Sequence, residues 1–281
     1  MALVDADIGQ SALGLPGTVS MKIFRTPESL ELYMYEQMSF IGSASPVHTM
    51  PLLIEESGRM ADAARAAAEI ILIDTAGLVV GTLGGTLKLG KIRRVRPDLI
   101  IAIQRHDELE HLIASISDIP VRLLKPSPLA TSRSHEARTA YRRRRLADYF
   151  AAAAPGGYLL TLRDADFIYR DKTVNLRERR VATGTVISLN HGLETLALWV
   201  VDESDDLSIT FRSPLSGIKG INRVVLGDMT LEDSVVSIRK GFLSTPAAPI
   251  FGLTCDPSLW YSSFGRPEAV NFNESESLRR I

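Results

Sequence analysis

Three short apolar runs, each leading into a polar side chain, constrain the fold of this 281-residue chain more than any other feature. One run opens the chain, and the others are Ile70–Ile73 and Leu99–Ile103; they lead into Asp5, Asp74 and Gln104. Apolar strands without polar alternation are covered on both faces, as in a parallel sheet. Because a helical pattern lies between the last two runs, the sequence predicts an α/β fold with a doubly wound parallel sheet, whose ligand groups lie at the carboxyl ends of the strands.

Two carboxylates at the end of the first strand are candidate chemical groups. Asp5 and Asp7 are two residues apart, so on an extended strand their side chains point the same way. They could be turn-forming acids at a strand end, but the following Gly9-Gln10 and the second acid-ended strand favour a site for a phosphate or a metal. We expect Asp7 to accept the proton of an attacking hydroxyl and Asp5 to hold a magnesium-bound water.

The residues Asp74-Thr75-Ala76-Gly77 predict a phosphate-facing turn after the second strand. The same four residues form a turn in many nucleotide-dependent switches, where the acid faces magnesium and the glycine amide approaches phosphate. Gln104 follows the third strand and is expected at the same edge of the sheet. Asp74, Gly77 and Gln104 are therefore candidate nucleotide-binding residues.

One segment nearly matches the phosphate-loop pattern G-x-x-x-x-G-K-[ST]. Residues 85–92 fit the pattern except at Ile92, which has no hydroxyl for magnesium. Pro97 leaves too little room for the long helix that must follow the lysine, and the leucines repeat at helical spacing. We therefore predict an ordinary helix here, so the phosphate cradle that the acids require is missing from these residues.

A strongly basic segment stands out against a formal net charge of -1. Between Arg122 and Arg145 there are eight lysines and arginines and a single acid. The spacing of Arg133, Arg138, Arg142 and Arg145 places most of them along one side of a helix. This helix is either a solvated charged surface or a lid that closes over phosphates, and the glycine- and proline-containing turns at both ends favour the lid.

The sequence divides into three predicted parts. An α/β domain, incomplete at its N-terminus, spans 1–126, a basic helix with a linker spans 127–157, and a β-rich domain spans 158–281. The single cysteine, Cys255, excludes an internal disulfide and suits a reducing cytoplasm. No apolar run is long enough to span a bilayer, so we expect a cytoplasmic protein without membrane contact.

Taken together, the sequence resembles the polynucleotide 5′-hydroxyl kinases, which act on the ends of RNA and DNA. Eukaryotic members of this family serve pre-mRNA 3′-end formation, tRNA splicing and ribosomal RNA processing, and the archaeal members are simpler. The resemblance extends from Leu3 to about Phe150 and is weak beyond it. It rests on four blocks: residues 5–10 with 16–20, residues 40–46, residues 73–79, and the arginine segment ending in Asp148-Tyr149-Phe150.

The resemblance implies an enzyme that uses ATP and Mg²⁺ to transfer the γ-phosphate to a 5′-hydroxyl end of RNA or DNA, with RNA-processing proteins as partners. It implies that Asp7 is the catalytic acid and that Thr75 belongs to a clasp around the phosphates. It further implies that Arg133 and Arg138 are lid arginines that act in catalysis. The candidate substrate-binding residues are Gln10 and Arg142.

Two departures from the family pattern matter. Leu78 stands where the eukaryotic clasp has tryptophan, and the phosphate loop with its lysine and hydroxyl residue is absent. Either the complete protein begins upstream and carries the first strand, loop and helix, or it is a non-catalytic member that binds RNA or protein partners. Omitting an internal parallel strand should expose a large apolar edge, and nothing in residues 1–20 covers one. This favours an active kinase whose first strand precedes the chain.

A third interpretation is another ATP-dependent P-loop enzyme or a GTPase-like regulator. A GTPase would carry Asn-Lys-x-Asp after the third strand, where this chain has Gln104-Arg105-His106-Asp107. The sequence thus argues against a GTPase and leaves other ATP-dependent enzymes open.

Overall fold

The N-terminal part of the protein is built on a four-stranded sheet with strand order β3-β2-β1-β4. The computed structural model describes residues 1–26, 35–151, 158–161, 163, 165–176, 181–205, 207–212, 220–232, 235–238 and 279–280. The central strand β1 pairs in parallel with β4 and antiparallel with β2, and β2 pairs antiparallel with β3. The strands are β1 (Ala2–Ala6), β2 (Thr18–Ile23), β3 (Gln37–Phe40) and β4 (Ile71–Thr75).

Two helices cover one face of this sheet. A short 3-10 helix, Pro46–His48, leads into α1 (Met50–Arg65), and α2 (Gly81–Val95) follows β4. The two helices approach closely at Gly58, where an added Cβ would collide with the Arg94 side chain. Arg94 also bonds the carboxylates of Glu55 and Asp62 across the contact, at 2.9 Å in each case. The α1 helix carries buried Leu53, Met60 and Ala64 into one core with β1.

The near match to a phosphate loop is an ordinary helix, as predicted. Residues 85–92 lie within α2, and this helix ends at Arg96, a left-handed residue with φ of 50°, directly before Pro97. The chain continues into a second, two-stranded parallel sheet. Its elements are β5 (Ile100–Ile103), α3 (Glu110–Ile113) and β6 (Val121–Leu124).

Strands β4 and β5 are left with apolar side chains in solvent. Leu72 on β4 is 48% exposed, and Ile101 and Ile103 on β5 are 55% and 58% exposed. Among the described residues β4 pairs only with β1, and β5 pairs only with β6, so each strand has one edge without a partner. Exposed apolar side chains beside an unpaired strand edge favour pairing with a further strand.

The C-terminal part is a nine-stranded, mainly antiparallel sheet with the order β15-β7-β12-β11-β10-β13-β8-β9, in which β14 pairs with β13. Its core is closed, because Trp199 and Phe211 are fully buried and their rings meet edge to face at 4.5 Å. The strands are β7 (Tyr158–Thr161), β8 (Asp166–Tyr169), β9 (Lys172–Thr173), β10 (Thr185–His191), β11 (Glu194–Ser204), β12 (Ser208–Arg212), β13 (Arg223–Glu232), β14 (Val235–Ile238) and β15 (Arg279–Arg280).

The basic segment forms a single helix, α4 (His135–Phe150), that connects the two parts. The Ser134 hydroxyl caps its N-terminus by accepting a 3.2 Å hydrogen bond from the amide of Ala137. Its last turns are buried, and the Tyr149 hydroxyl accepts the amide of Leu198 on β11 at 3.2 Å. The helix is therefore fixed to the C-terminal sheet at one end.

The predicted fold class, an α/β part followed by a β-rich part, is confirmed. The parallel pairs β1–β4 and β5–β6 belong to it, whereas the antiparallel β2 and β3 were not predicted, although their residues alternate between polar and apolar as in a strand. The predicted domain boundaries stay predictions, and the linker residues 152–157 lie outside the described residues. Among the helices of the described chain, none combines the length and apolar character needed to cross a membrane.

Candidate active site

The carboxyl ends of β1 and β4 bring the predicted acids to one edge of the sheet. Asp5 and Asp74 are register partners in the parallel pair, and Asp7 follows directly after β1. Partial burial raises the pKa of the Asp74 carboxyl, and the neighbouring carboxylates of Asp5 and Asp7 raise it further. The three acids therefore share one electrostatic environment, and the parallel register is the reason.

Asp7 lies at the centre of this cluster. Its Oδ1 accepts hydrogen bonds from the amides of Gly9 at 2.9 Å and Gln10 at 3.0 Å, which fixes the side chain at the start of the loop. Its Oδ2 accepts no hydrogen bond from the described residues, and the side chain is only partly buried. Asp7 thus offers a fixed carboxylate with one available oxygen.

Asp5, unlike Asp7, uses both of its carboxylate oxygens for hydrogen bonds within the loop. It is 1% exposed, and its Oδ2 accepts hydrogen bonds from the Ser11 hydroxyl at 2.9 Å and the amides of Ala12 at 2.7 Å and Leu13 at 2.9 Å. Its Oδ1 accepts the amide of Asp7 at 3.1 Å. These contacts make Asp5 the anchor of the loop after β1. The water-mediated magnesium role expected for it stays a prediction that the geometry does not favour, since both oxygens are occupied within the loop.

Two lysines that the sequence analysis assigned no role reach this edge from α2. Lys88 Nζ donates to the Thr75 hydroxyl at 2.5 Å and to the carbonyl of Ala76. Lys91 Nζ donates to the carbonyl of Ala6 at 2.8 Å and is 4% exposed. The available signal was the near match at residues 85–92, because its two lysines are three residues apart and share one face of a helix.

Burial changes the protonation of both lysines. Burial and, to a lesser extent, the nearby Lys88 ammonium lower the pKa of Lys91 to about 7, against the opposing effect of the carboxylates of Asp7, Asp5 and Asp74. Burial also lowers the pKa of Lys88 against the opposing effect of Asp7 and Asp74. Acids and amines are thus close enough to influence each other's charge.

The N-terminal half of α4 lies over the loop that follows β1. Arg133 Nη1 donates to Gln10 Oε1 at 3.1 Å, and the Tyr141 hydroxyl donates to the carbonyl of Ser11 at 2.7 Å. Arg145 donates to the carbonyl of Gly14 and so serves to hold the helix on the loop. The predicted lid helix is therefore already in contact with the acid-bearing loop.

Arg142 and Arg138 continue the cationic face of α4. Burial lowers the pKa of the half-buried Arg142 guanidinium, Arg138 lowers it further, and Asp7 acts in the opposite direction. Arg138 is exposed at the surface of the helix. Arg142 therefore lies near Asp7, and Arg133 contacts Gln10 in the same loop. The catalytic and substrate-binding roles of Arg133, Arg138 and Arg142 stay predictions.

The remaining candidates differ in how open they are. A Cβ added at Gly77 would meet nothing within 4 Å, so the backbone of the turn after β4 is accessible to a ligand. Gln104 is 5% exposed, its Nε2 donates to Glu110 at 2.7 Å, and its Oε1 accepts the amide of Leu109 at 3.0 Å. Its amide group is occupied in holding the loop after β5, so the predicted nucleotide contact has no support from its geometry.

The chain is similar to known proteins mainly over its N-terminal part. Residues 1–152 match the family model described as mRNA cleavage and polyadenylation factor CLP1 P-loop. The polyribonucleotide 5′-hydroxyl-kinase of Methanocaldococcus jannaschii is 34% identical over 155 residues, which cover 53% of this chain and 42% of the relative. The corresponding protein of Pyrococcus furiosus is 34% identical over 158 residues, covering 54% and 43%. The match therefore spans about two fifths of the length of these relatives.

The fold is also similar to that of a solved structure. The wild-type Clp1p–Pcf11p complex contains a chain that superposes with a TM-score of 0.59 at 8% sequence identity, covering 82% of this chain and 67% of that one. At this identity the similarity concerns the fold alone. Because the family model matches more than half of its residues, the chain belongs to the CLP1 P-loop family.

Proposed function

We propose that this chain forms the acidic and arginine-bearing part of an ATP-dependent polynucleotide 5′-hydroxyl kinase, which transfers the γ-phosphate to the 5′-OH end of RNA or DNA. The observation that carries the proposal is the meeting of Asp7 and Asp74 at one sheet edge beneath the arginines of α4. The names of the archaeal relatives, polyribonucleotide 5′-hydroxyl-kinases, support the same reaction.

Asp7 is the proposed general base. Its Oδ1 is fixed by two backbone amides, so the available Oδ2 is held in one place and can accept the proton of an attacking hydroxyl. Arg142 and Lys88 lie close enough to feel the charge of Asp7, so this carboxylate stands among cationic groups.

The acids also fit a magnesium ion bound together with phosphates. Within the described chain no group of three or more His, Cys, Asp or Glu side chains is arranged to hold a metal ion by itself. Mg²⁺ in phosphoryl-transfer sites is held by one or two carboxylates and completed by phosphate oxygens and water, which suits Asp74 and Asp7. When bound with ATP, the ion would neutralise negative charge on the phosphates.

The arginines of α4 are proposed to bind phosphate groups of the substrate. Arg133, just before the helix cap, contacts Gln10, while Arg142 lies near Asp7 and has Arg138 beside it. A guanidinium binds phosphate oxygens through two parallel hydrogen bonds, and Gln10 adds an amide to the same surface. The helix places these groups without a loop closure, because its C-terminal end is already packed.

The 281 residues contain no complete phosphate-loop motif, and we propose that the strand which carries one pairs between β4 and β5. Neither edge has a partner among the described residues, and the apolar side chains of Leu72, Ile101 and Ile103 stand in solvent there. A parallel strand would pair with both edges, and the helix after its loop would cover these side chains. The open edges support this completion.

Transfer of labelled γ-phosphate to a 5′-hydroxyl oligonucleotide tests the proposal. The assay compares this chain with a version that carries the upstream strand, loop and helix. We expect transfer only by the completed version, and a fall of about 10²–10⁴-fold when Asp7→Asn removes the base. Transfer at an unchanged rate by the Asp7 variant, or none by the completed wild type, contradicts the proposed function.

A non-catalytic member of the family is the second candidate. The absence of a phosphate loop from the 281 residues and the exposed arginines of α4 favour a protein that binds RNA ends without reacting. A completed version that binds 5′-hydroxyl RNA but transfers no phosphate would establish it. Phosphorylation of a different acceptor would instead indicate another ATP-dependent P-loop enzyme.

The cellular setting follows from the same proposal. The solved relative Clp1p is found in a complex with Pcf11p, so a protein partner in RNA processing is proposed here as well. The single cysteine of the sequence suits the reducing cytoplasm. Co-purification of a tagged chain from cytoplasmic extract, with and without ribonuclease, separates a protein partner from one bridged by RNA.

A further inference from the structure

The lysines of α2 have no place in the roles proposed so far. Lys88 and Lys91 project from one face of the helix toward the carboxyl ends of β4 and β1. Taking an ammonium group out of water is unfavourable unless it gains charged or hydrogen-bonding partners. Two such groups next to one another add mutual repulsion, so their position calls for a reason beyond packing.

The contacts of Lys88 leave it available for an anion. Its ammonium donates to a hydroxyl and a carbonyl in the turn after β4, at Thr75 and Ala76. No carboxylate of the described residues lies within salt-bridge distance of Lys88, although Asp7 and Asp74 are close enough to act on its charge. One of its three N–H groups thus has no acceptor within the described part of the chain. The adjoining backbone at Gly77 is open to a ligand.

Lys91 is placed for a different task. It is 4% exposed, and its ammonium donates to the backbone carbonyl of Ala6 at the end of β1. It therefore holds the strand end that precedes Asp7, and its burial leaves little of the side chain open to a ligand. The Lys88 ammonium therefore faces the site, whereas the Lys91 ammonium supports the backbone beside it.

We propose that Lys88 is a phosphate-binding residue of this site, one that contacts the terminal phosphates of a nucleoside triphosphate from the side of α2. The inference rests on the proposed function, and it assigns a contact within this chain that is independent of any phosphate loop. An ammonium that donates to Thr75 and to phosphate oxygens at the same time would link the turn at Thr75 to the negatively charged phosphates.

Binding of inorganic tripolyphosphate to the 281-residue chain, measured by calorimetry at low salt, tests the inference. Lys88→Met keeps the length of the side chain and removes the charge, and we expect it to weaken binding about tenfold, the loss of one charge-assisted hydrogen bond. Lys88→Arg keeps the charge and should retain most of the affinity. Lys172→Met removes an exposed lysine of β9 and is the matched control, which should bind as the wild type does.

Lys91→Met distinguishes phosphate binding from structural support. It should change the melting temperature and leave the affinity for tripolyphosphate within about threefold of the wild type, a difference below that of one hydrogen bond. A second measurement needs no variant. Reductive methylation of the wild-type chain, followed by mass spectrometry, should show that tripolyphosphate protects Lys88 and leaves Lys172 unprotected.

The outcomes separate this inference from the proposed function. Equal affinity of Lys88→Met and wild type, unprotected Lys88, or a wild-type chain that binds no tripolyphosphate overturns the inference. None of these results bears on phosphate transfer by the completed protein, which is measured separately. Conversely, the chain can bind tripolyphosphate through Lys88 while the completed protein phosphorylates no 5′-hydroxyl end. That result supports the inference and contradicts the proposed kinase activity.

Discussion

The two parts of this protein differ in how completely they bury their own apolar side chains. In the C-terminal sheet Trp199 and Phe211 are fully buried in a core made from its own strands. In the α/β part, β1 is equally well covered, but Leu72 on β4 and Ile101 on β5 stand about half in solvent. Among the described residues, the strands β4 and β5 therefore keep an uncovered edge, and the proposed phosphate-loop strand would pair there.

The strongest test of this difference compares a closed core with an open edge. Phe211→Ala should lower the free energy of unfolding by about 3–5 kcal/mol, because it leaves a cavity in a packed core. Leu72→Ala should change it by less than about 1 kcal/mol, since that side chain is already exposed. Urea unfolding of both variants checks the contrast. Equal losses would mean that the edge at β4 is covered in solution, by a second copy or by another segment.

The next contrast lies within the acidic cluster. Asp5→Asn should lower the free energy of unfolding by about 1–3 kcal/mol, because the amide that replaces one carboxylate oxygen cannot accept the hydrogen bonds of the loop. Asp7→Asn keeps the oxygen that the two loop amides need and should cost less. Denaturant titrations of the two variants decide the order. If Asp7→Asn costs more stability than Asp5→Asn, Asp7 is the structural residue and Asp5 is the better candidate for the site.

The buried amine of Lys91 predicts a dependence of stability on pH. Its pKa is about 7 in the folded chain and 10.5 in a model peptide, so the unfolded state binds more protons between these values. The free energy of unfolding should therefore rise as the pH increases from about 7 toward 10. Urea unfolding across this range checks the rise, and Lys91→Met should reduce it. A rise of the same size in the variant would assign it to other groups.

A weaker effect, on the salt dependence of RNA binding, is expected from the arginines at the start of α4 and not from the buried end of that helix. Replacing Arg133 and Arg138 by alanine should lower the slope of log K against log salt for 5′-hydroxyl RNA by about 0.7 for each phosphate group that these arginines neutralise. Leu146→Ala, at the buried end of the same helix, should destabilise the protein and leave this slope unchanged. Fluorescence anisotropy at several salt concentrations provides the measurement. An unchanged slope in the arginine variant would mean that Arg133 and Arg138 only form a solvated surface and do not bind RNA phosphates.

Most of the local structure was predictable because its signals are local. The apolar runs gave strands that end in Asp74 and Gln104, and the leucine spacing of residues 85–92 gave a helix. The antiparallel strands β2 and β3 were missed although their residues alternate between polar and apolar. Their pairing direction was not predictable, because it depends on where the chain returns to. The nucleotide role expected for Gln104 shows the same limit, because strand position does not reveal the Glu110 that occupies its amide.

The order of amino acids was enough to specify the polar residues at the ends of the elements: acids after β1 and β4, and arginines along α4. Period, capping residues and strand-end chemistry are properties of neighbouring residues, so they can be read without the fold. Only the tertiary structure decided which of the two carboxylates, Asp5 or Asp7, keeps an available oxygen, and that the Lys88 amine reaches the site. Asp5 is occupied because the loop turns its amides back onto it, and Lys88 reaches the site because α2 packs beside β4. Both depend on contacts between residues that are distant along the chain or folded back in space, and no local pattern encodes them.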